Sequence, residues 1–138
     1  MDHVLIDNDV MLDFLLNRQP FSDDAAKIYE LCKTGVIKGY TSPVILSNAH
    51  YVLRKIHSHE NIVKSFLKLL EVIDLVEINK ITVIDALNSS FKDFEDALQN
   101  FAAAANKDIS IVITRNFKDY KSSRLSIQTP LTYLKQRP

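Results

Sequence analysis

Three places in the 138-residue chain set oxygen-bearing side chains where a fold could use them. Asp7-Asn8-Asp9 directly follows the apolar run Val4-Leu5-Ile6. Asp93 and Asp96 open an apolar helical stretch. Thr114-Arg115-Asn116, with Asp119 close behind, follows Ile111-Val112-Ile113. Carboxylates, amide oxygens and hydroxyls are hard donors, the kind that Mg²⁺ or Mn²⁺ takes. Asp93 and Asp96 lie three residues apart and share a helix face, while Phe94, Leu98, Phe101, Ala102 and Ala105 form the buried one. Each group also has an ordinary structural reading. Asp7 can cap the helix behind it, and Asp93 can be an N-cap with Asp96 as capping-box partner.

The other reactive residue types offer less. His57-Ser58-His59 places two histidines in an interhelix loop without further ligands, and His3 and His50 are expected to be structural or exposed. Cys32 sits among apolar helix positions and is expected to be inert core. As a lone cysteine it excludes an internal disulfide framework and fits a reducing compartment. Asp13 is expected on a solvated face one turn after Asp9, Tyr51 and Phe66 in the core, and Arg54 and Lys55 at the close of a helix, where cations are favourable.

Strands alternating with helices must position these groups. Strands are expected at His3–Asp7, Val36–Thr41, Leu75–Ile78, Ser110–Thr114 and Ser126–Gln128. Helices are expected over 9–17, from Ser22 or Asp23 to Thr34 with Gly35 as the stop, and from the Ser42 cap and Pro43 to about Ile56. Further helices run from Ser58 to about Ile73, over 81–89, from Asp93 to about Asn106, and from Pro130 onward. The alternation implies one α/β domain over 1–138, a three-layer sandwich around a parallel sheet, with its chemistry at the carboxyl ends of the strands.

Charge is neutral overall, with 17 basic and 17 acidic residues, which taken alone argues against a nucleic-acid partner. By segment the balance alternates. Residues 1–30 hold two basic and seven acidic groups, 31–73 six and two, 74–99 two and six, and 100–138 seven and two. Converging acidic blocks flanked by basic ones would make a metal site beside a phosphate-binding rim; for any single block, a solvated helix face is the favoured reading. No apolar run reaches the roughly 20 residues that span a bilayer, and the cytoplasm is the expected compartment.

The blocks together resemble PIN-domain nucleases. Val4-Leu5-Ile6-Asp7-Asn8-Asp9-Val10 is similar to the family's opening strand. Ser42-Pro43 with Asn48, Tyr51, Leu53, Arg54 and Lys55 is similar to the second block of one branch. Asp93-Phe94-Glu95-Asp96-Ala97-Leu98-Gln99 resembles the third block and Thr114-Arg115-Asn116-Phe117-Lys118-Asp119-Tyr120 the fourth, while Thr129-Pro130 with Leu134 resembles the ending. The resemblance implies a five-stranded parallel sheet of order 3-2-1-4-5 and Mg²⁺- or Mn²⁺-dependent cleavage of RNA. The implied catalytic and metal-binding residues are Asp7, Asp96, Asp119 and Asn116, supported by Asp9, Asn48, Ser42, Asp93 and Thr114, with Arg115 and Lys118 on the RNA. A homodimer and a small protein antitoxin, as for VapC-like toxins, are the implied partners.

Three positions depart from the common pattern: Asp9 stands where asparagine is usual, Asn48 where many members have glutamate, and Asn116 where many have aspartate. Two amides in place of carboxylates weaken metal affinity and favour the alternative, a non-catalytic module of the same fold that binds RNA or protein. A phosphoryl-accepting receiver domain would need an aspartate after the third strand, where Asn79-Lys80 stands. A haloacid-dehalogenase-type phosphatase would need threonine or valine where Met11 stands, and a cap domain the length does not allow.

Overall fold

The computed structural model describes residues 1–137. A five-stranded, all-parallel sheet of order β3-β2-β1-β4-β5 is flanked by seven helices, the sandwich the alternation implies. The strands are β1 (His3–Ile6), β2 (Lys38–Thr41), β3 (Asp74–Leu75), β4 (Ile111–Ile113) and β5 (Ser126–Gln128). The helices are α1 (Asn8–Leu15), α2 (Ser22–Lys33), α3 (Pro43–Leu53), α4 (His59–Val72), α5 (Lys80–Leu87), α6 (Phe94–Ala105) and α7 (Pro130–Gln136); a 3₁₀ turn covers Phe117–Tyr120.

Helices on both faces of the sheet require strands that are apolar on both sides. Val4, Leu5, Ile6, Val112 and Ile113 accordingly have no exposed surface. Register places Leu5 beside Tyr40 on one flank and beside Val112 on the other, so β1 and β4 run side by side and end together at Ile6 and Ile113. The Asp7 N–H extends this pairing by donating to Ile113 O at 3.0 Å. Everything immediately beyond that point faces the mouth between the two central strands.

Several ends differ from the sequence expectation for visible reasons. β2 starts at Lys38 rather than Val36, because the N–H groups of Val36 and Ile37 turn back onto Leu31 O behind Gly35, whose φ is +78°. β3 is Asp74–Leu75 rather than Leu75–Ile78: it pairs Asp74 with Tyr40 and Leu75 with Thr41, Val76 N–H closes on Thr41 O, and Ile78 leaves to pack under α5 and α6. α3 stops at Leu53 and continues as turns to Ile56. Tyr51, expected in the core, is 71 % exposed, because the buried stripe of α3 is Ile45, Ala49 and Leu53 and Tyr51 falls on the opposite face.

A small satellite core fixes α6, the helix that carries Asp96. Ala86, Ala97 and Leu98 pack with Val83, Phe91 and Phe101, which seats α5 against α6. α5 itself starts with a reciprocal Asn79–Thr82 capping box. α6 is tied to the sheet by polar contacts as well: Ser42 Oγ accepts from Ile45 N–H at 3.0 Å, capping α3, and donates to the buried Gln99 Oε1 at 2.5 Å.

Gly39 lies mid-strand in β2, where a Cβ would stand 2.7 Å from Cys32 Sγ and 2.9 Å from Ile73 Cγ2. Cys32 is buried as expected, and burial raises its thiol to about 11. Gly39→Ala should therefore destabilise the protein by about 2 kcal/mol through overpacking. Urea unfolding would measure it; an unchanged midpoint would mean that α2 and α4 shift freely over the sheet.

Candidate active site

One cleft at the carboxyl ends of β1 and β4, about 330 Å³ in volume, gathers Asp7, Asn8, Asp9, Asn48, Asp93, Glu95, Asp96, Asn116 and Asp119. The three groups of oxygen donors separated by up to about a hundred residues in sequence thus share one space.

Asp7 is the innermost. It is 5 % exposed and caps α1, Oδ1 accepting from Asn8 N–H at 2.8 Å. Its other oxygen accepts from Thr114 Oγ at 2.9 Å and from the fully buried Tyr120 hydroxyl at 3.2 Å. Capping and site-building are therefore both done by the same carboxylate. Burial, and next the charge of Asp9, push Asp7 up from 3.8 to about 6, against the pull of these hydrogen bonds. Tyr120 was not singled out in the sequence; buried against Phe91 and beside carboxylates, its phenol is raised well above its ordinary range. The only sequence signal for it is an aromatic residue one position after Asp119.

Asp9 turns toward the β4 loop. Its Oδ2 accepts from Arg115 N–H at 2.9 Å and its Oδ1 from Val10 N–H at 2.7 Å. Burial raises its pKa while the Arg115 contact opposes this. Thr114 Oγ, besides donating to Asp7, accepts from Asn116 N–H at 3.0 Å, fixing the start of the loop that carries Asn116 and Asp119.

Asp13 corrects the sequence reading. It has no exposed surface and holds two guanidinium groups, with Arg18 Nε at 2.9 Å on Oδ1 and Arg115 Nε at 2.6 Å and Nη2 at 3.0 Å on its two oxygens. Arg115 also stacks on Phe21, 3.8 Å from the ring centroid, and Arg18 Nη2 donates to Asp9 O at 3.1 Å. Arg115, expected to contact RNA, thus has its fork committed to a buried carboxylate and its face to an aromatic ring. Lys118, by contrast, is exposed.

Across the cleft Asp93 caps α6 by accepting from Asp96 N–H at 2.9 Å. The return half of the expected capping box is not made, and Asp96 keeps a half-buried carboxylate facing the cleft. Burial, then the charges of Asp7, Asp93, Asp119 and Glu95, lift it to about 7. Asn48 Nδ2 donates to Glu95 Oε2 at 2.7 Å, which brings in a carboxylate the sequence reading did not assign. Its signal was present, one residue before Asp96, but helical spacing alone put it on a different face.

The donor set fits a hard divalent cation in chemistry: carboxylates at Asp7 and Asp96 raised by burial and then by neighbouring charge, amide oxygens beside them, and a buried Asn8 Oδ1 without a hydrogen-bond partner among the described residues. Among the described residues no three acidic, histidine or cysteine side chains stand close enough to hold an ion as they are. The Asp96 and Asp119 carboxylates accept no hydrogen bond among those residues, and both line the cleft. The histidines offer no rival. His3 bonds Tyr40, and His50 bonds His59 at 2.8 Å on the surface.

A basic rim adjoins the acids. Lys92, Lys118 and Lys121, with Ser90 and Ser122, line a neighbouring cavity of about 230 Å³ that shares Asp93 and Asp119 with the main cleft. Of the four charge blocks only two meet at this rim: Lys118 and Lys121 come from the basic block 100–138, Lys92 comes from the acidic block 74–99, and the basic block 31–73 lends it no residue.

A family model described as PIN domain matches residues 3–118. No curated protein matches the sequence. Among solved structures, the chain resembles VapBC2 from Rickettsia felis, solved bound to a DNA fragment from its promoter (15 % identity, TM-score 0.69, covering 92 % of this chain and 98 % of that one). It also resembles VapBC-1 from nontypeable Haemophilus influenzae (14 %, 0.70, 94 % and 98 %). A third is VapC20 of Mycobacterium tuberculosis, described as a sarcin-ricin loop cleaving toxin (15 %, 0.65, 86 % and 95 %). At such identities the likeness is one of fold.

Two predictions follow from the electrostatics. Asp7 and Asp96 have folded-state pKa values of about 6 and 7, above their ordinary 3.8, so their ionisation opposes folding. The penalty is absent below about pH 4, grows as pH rises through the folded values and is complete above them. In chelator the protein should lose stability from pH 4 to 8, and Asp7→Asn should recover about 2 kcal/mol at pH 8 and little at pH 4. A flat urea-unfolding profile for the parent protein would contradict the proposed repulsion. Separately, Arg115→Ala leaves the buried Asp13 with Arg18 alone and should cost about 3 kcal/mol; a loss below about 0.5 kcal/mol would make this an ordinary surface pair.

Proposed function

The chain belongs to the PIN-domain family, and on that premise we propose that it is an Mg²⁺- or Mn²⁺-dependent endoribonuclease that hydrolyses RNA phosphodiester bonds. The observation that carries this reading is the convergence of Asp7, Asp96 and Asp119, with Asn116, in one cleft between the ends of β1 and β4. Asp7, Asp96 and Asp119 would hold the ion, with Asn116 and Asn8 offering neutral oxygens. A bound divalent ion would supply charge neutralisation at the attacked phosphate and lower the pKa of its water, so no histidine is needed.

The chain's own residues divide the remaining work. Thr114 and Tyr120 hold one Asp7 oxygen by donated hydrogen bonds and so fix the direction of its carboxylate. Asp13 positions Arg115, whose backbone N–H holds Asp9, and this keeps the β1 and β4 loops at a fixed separation. Ser42, through Gln99, fixes the height of α6 and with it Asp96. Lys118, with Lys92 and Lys121, would bind backbone phosphates next to the acids, so RNA affinity follows the local rim and not the zero net charge.

A toxin of a toxin–antitoxin pair is the biological setting we favour, in line with the VapBC neighbours. The groove between α1, α2 and α4, about 390 Å³ and lined by Phe14, Leu15, Tyr29, Leu69 and Val72, suits an apolar antitoxin segment. Ile81, Ile84 and Leu87 form an exposed apolar stripe along α5 that suits a homodimer contact. No helix among the described residues is long and apolar enough to cross a membrane; with RNA as the proposed substrate, the compartment we favour is the cytoplasm.

Cleavage of a mixed single-stranded RNA should require Mn²⁺ or Mg²⁺, stop with chelator, and be lost in Asp7→Asn while that variant still folds. Lys118→Glu should weaken RNA binding and lower its salt slope by about 1 or more. RNA binding that persists without any metal-dependent cleavage would favour the non-catalytic module instead, the reading that Asn48 and Asn116 invite.

A further inference from the structure

We infer that Glu95 is a further carboxylate of the cation site and that Asn48 is the residue that positions it. The inference rests on the metal-dependent reading above and extends it to Glu95, to which the sequence analysis gave no role.

Asn48 lies on α3 and Glu95 in the first turn of α6, 47 residues apart, and both line the cleft that holds Asp7, Asp96 and Asp119. The Asn48 amide cannot contribute negative charge or take a proton. What it does instead is donate through Nδ2 to Glu95 Oε2 at 2.7 Å, a short bond to an ionised acceptor. That bond selects one orientation of a long side chain that would otherwise sample solvent, and it leaves Glu95 Oε1 without a protein donor among the described residues. A carboxylate from α6 is thereby held against the α3 residue that itself offers only an amide.

Two further observations agree. Glu95 and Asp96 are consecutive in the first turn of α6, and both line the cleft with Asp7 and Asp119. The buried Asn8 Oδ1, on the same cleft wall as Asp7, has no hydrogen-bond partner, and an unpaired buried oxygen beside several carboxylates is a place where a cation would be welcome. The competing role for Glu95 is purely structural: an acidic residue in a first turn favours the helix dipole, and its bond to Asn48 would tie α6 to α3. That role affects folding without metal and has no reason to change metal affinity.

The test is Mn²⁺ titration calorimetry on the full chain, with melting curves in chelator, for the parent protein, Glu95→Gln, Asn48→Ala, the double variant Asn48→Ala/Glu95→Gln, the exchange Asn48→Glu/Glu95→Gln, and Asp7→Asn as reference. Glu95→Gln should weaken Mn²⁺ binding about a hundredfold and Asn48→Ala about tenfold, the size expected when a group orienting a ligand is lost. The double variant should bind no more weakly than Glu95→Gln alone, because Asn48 acts only through Glu95. The exchange moves the carboxylate to the other wall and should bind within a few-fold of the parent protein. Unchanged affinity in Glu95→Gln, where Asp7→Asn abolishes binding, overturns the inference and leaves the metal-dependent reading standing. A parent protein that binds no Mn²⁺ overturns both. A variant that melts lower in chelator but binds Mn²⁺ like the parent assigns the pair a structural role and also overturns the inference.

Discussion

Holding a buried carboxylate among its own kind is the demand around which this molecule is arranged. Asp7 sits almost out of water, with Asp9 two residues away and Asp96 and Asp119 on the same cleft, and both burial and like charge oppose its ionised form. Three donated hydrogen bonds, from Asn8 N–H, Thr114 and Tyr120, stabilise the anion but do not cancel the penalty. The fold carries that repulsion as strain, which a bound cation, on the proposed metal-dependent reading, would relieve.

That strain has to be contained by something that does not yield, and the Asp13 ion pairs do this. A fully buried carboxylate facing two arginines is strongly coupled, and losing either partner would leave charge in a poorly solvated place. Because Arg115 belongs to the β4 loop, Arg18 to the segment after α1 and Asp13 to α1 itself, the network binds the β1 and β4 exits together a few residues from Asp7. Stacking of Arg115 on Phe21 extends the clamp to the start of α2. The arginine that looks most suited to phosphate is therefore tied into the scaffold, and the exposed lysines of the adjoining cavity are the basic groups left beside the acids.

The amides at 48 and 116 gain a physical context from the same cleft. Asn48 is not an empty replacement for a carboxylate, since its amide faces Glu95. Asn116 makes no capping bond to the 3₁₀ turn it precedes, while Asp119, within that turn, lines the cleft with it. The carboxylates beside these amides stand on α6 and in the β4 loop, with Asp9 near the end of β1.

Much of this was legible in the residues themselves. The apolar runs of β1 and β4, the Ser42-Pro43 and Ser58 helix starts, and the aspartates directly after the strands follow from local rules of periodicity and capping, while the strand order was anticipated only through the resemblance to PIN-domain nucleases. Those rules act over a few residues, and the errors lie where longer-range contacts decide. β3 is short because only Asp74 and Leu75 find partners on β2, and Tyr51 is outside because α3 presents another face to the sheet. Asp13, Arg115, Tyr120 and Glu95 could not be assigned from spacing, because each takes its role from a partner 47 to 113 residues away. Sequence determined which oxygens arrive at the ends of the strands; whether a given charge is buried, paired or left facing the cleft was decided by packing, since desolvation and Coulomb energy depend on distance in space and not along the chain.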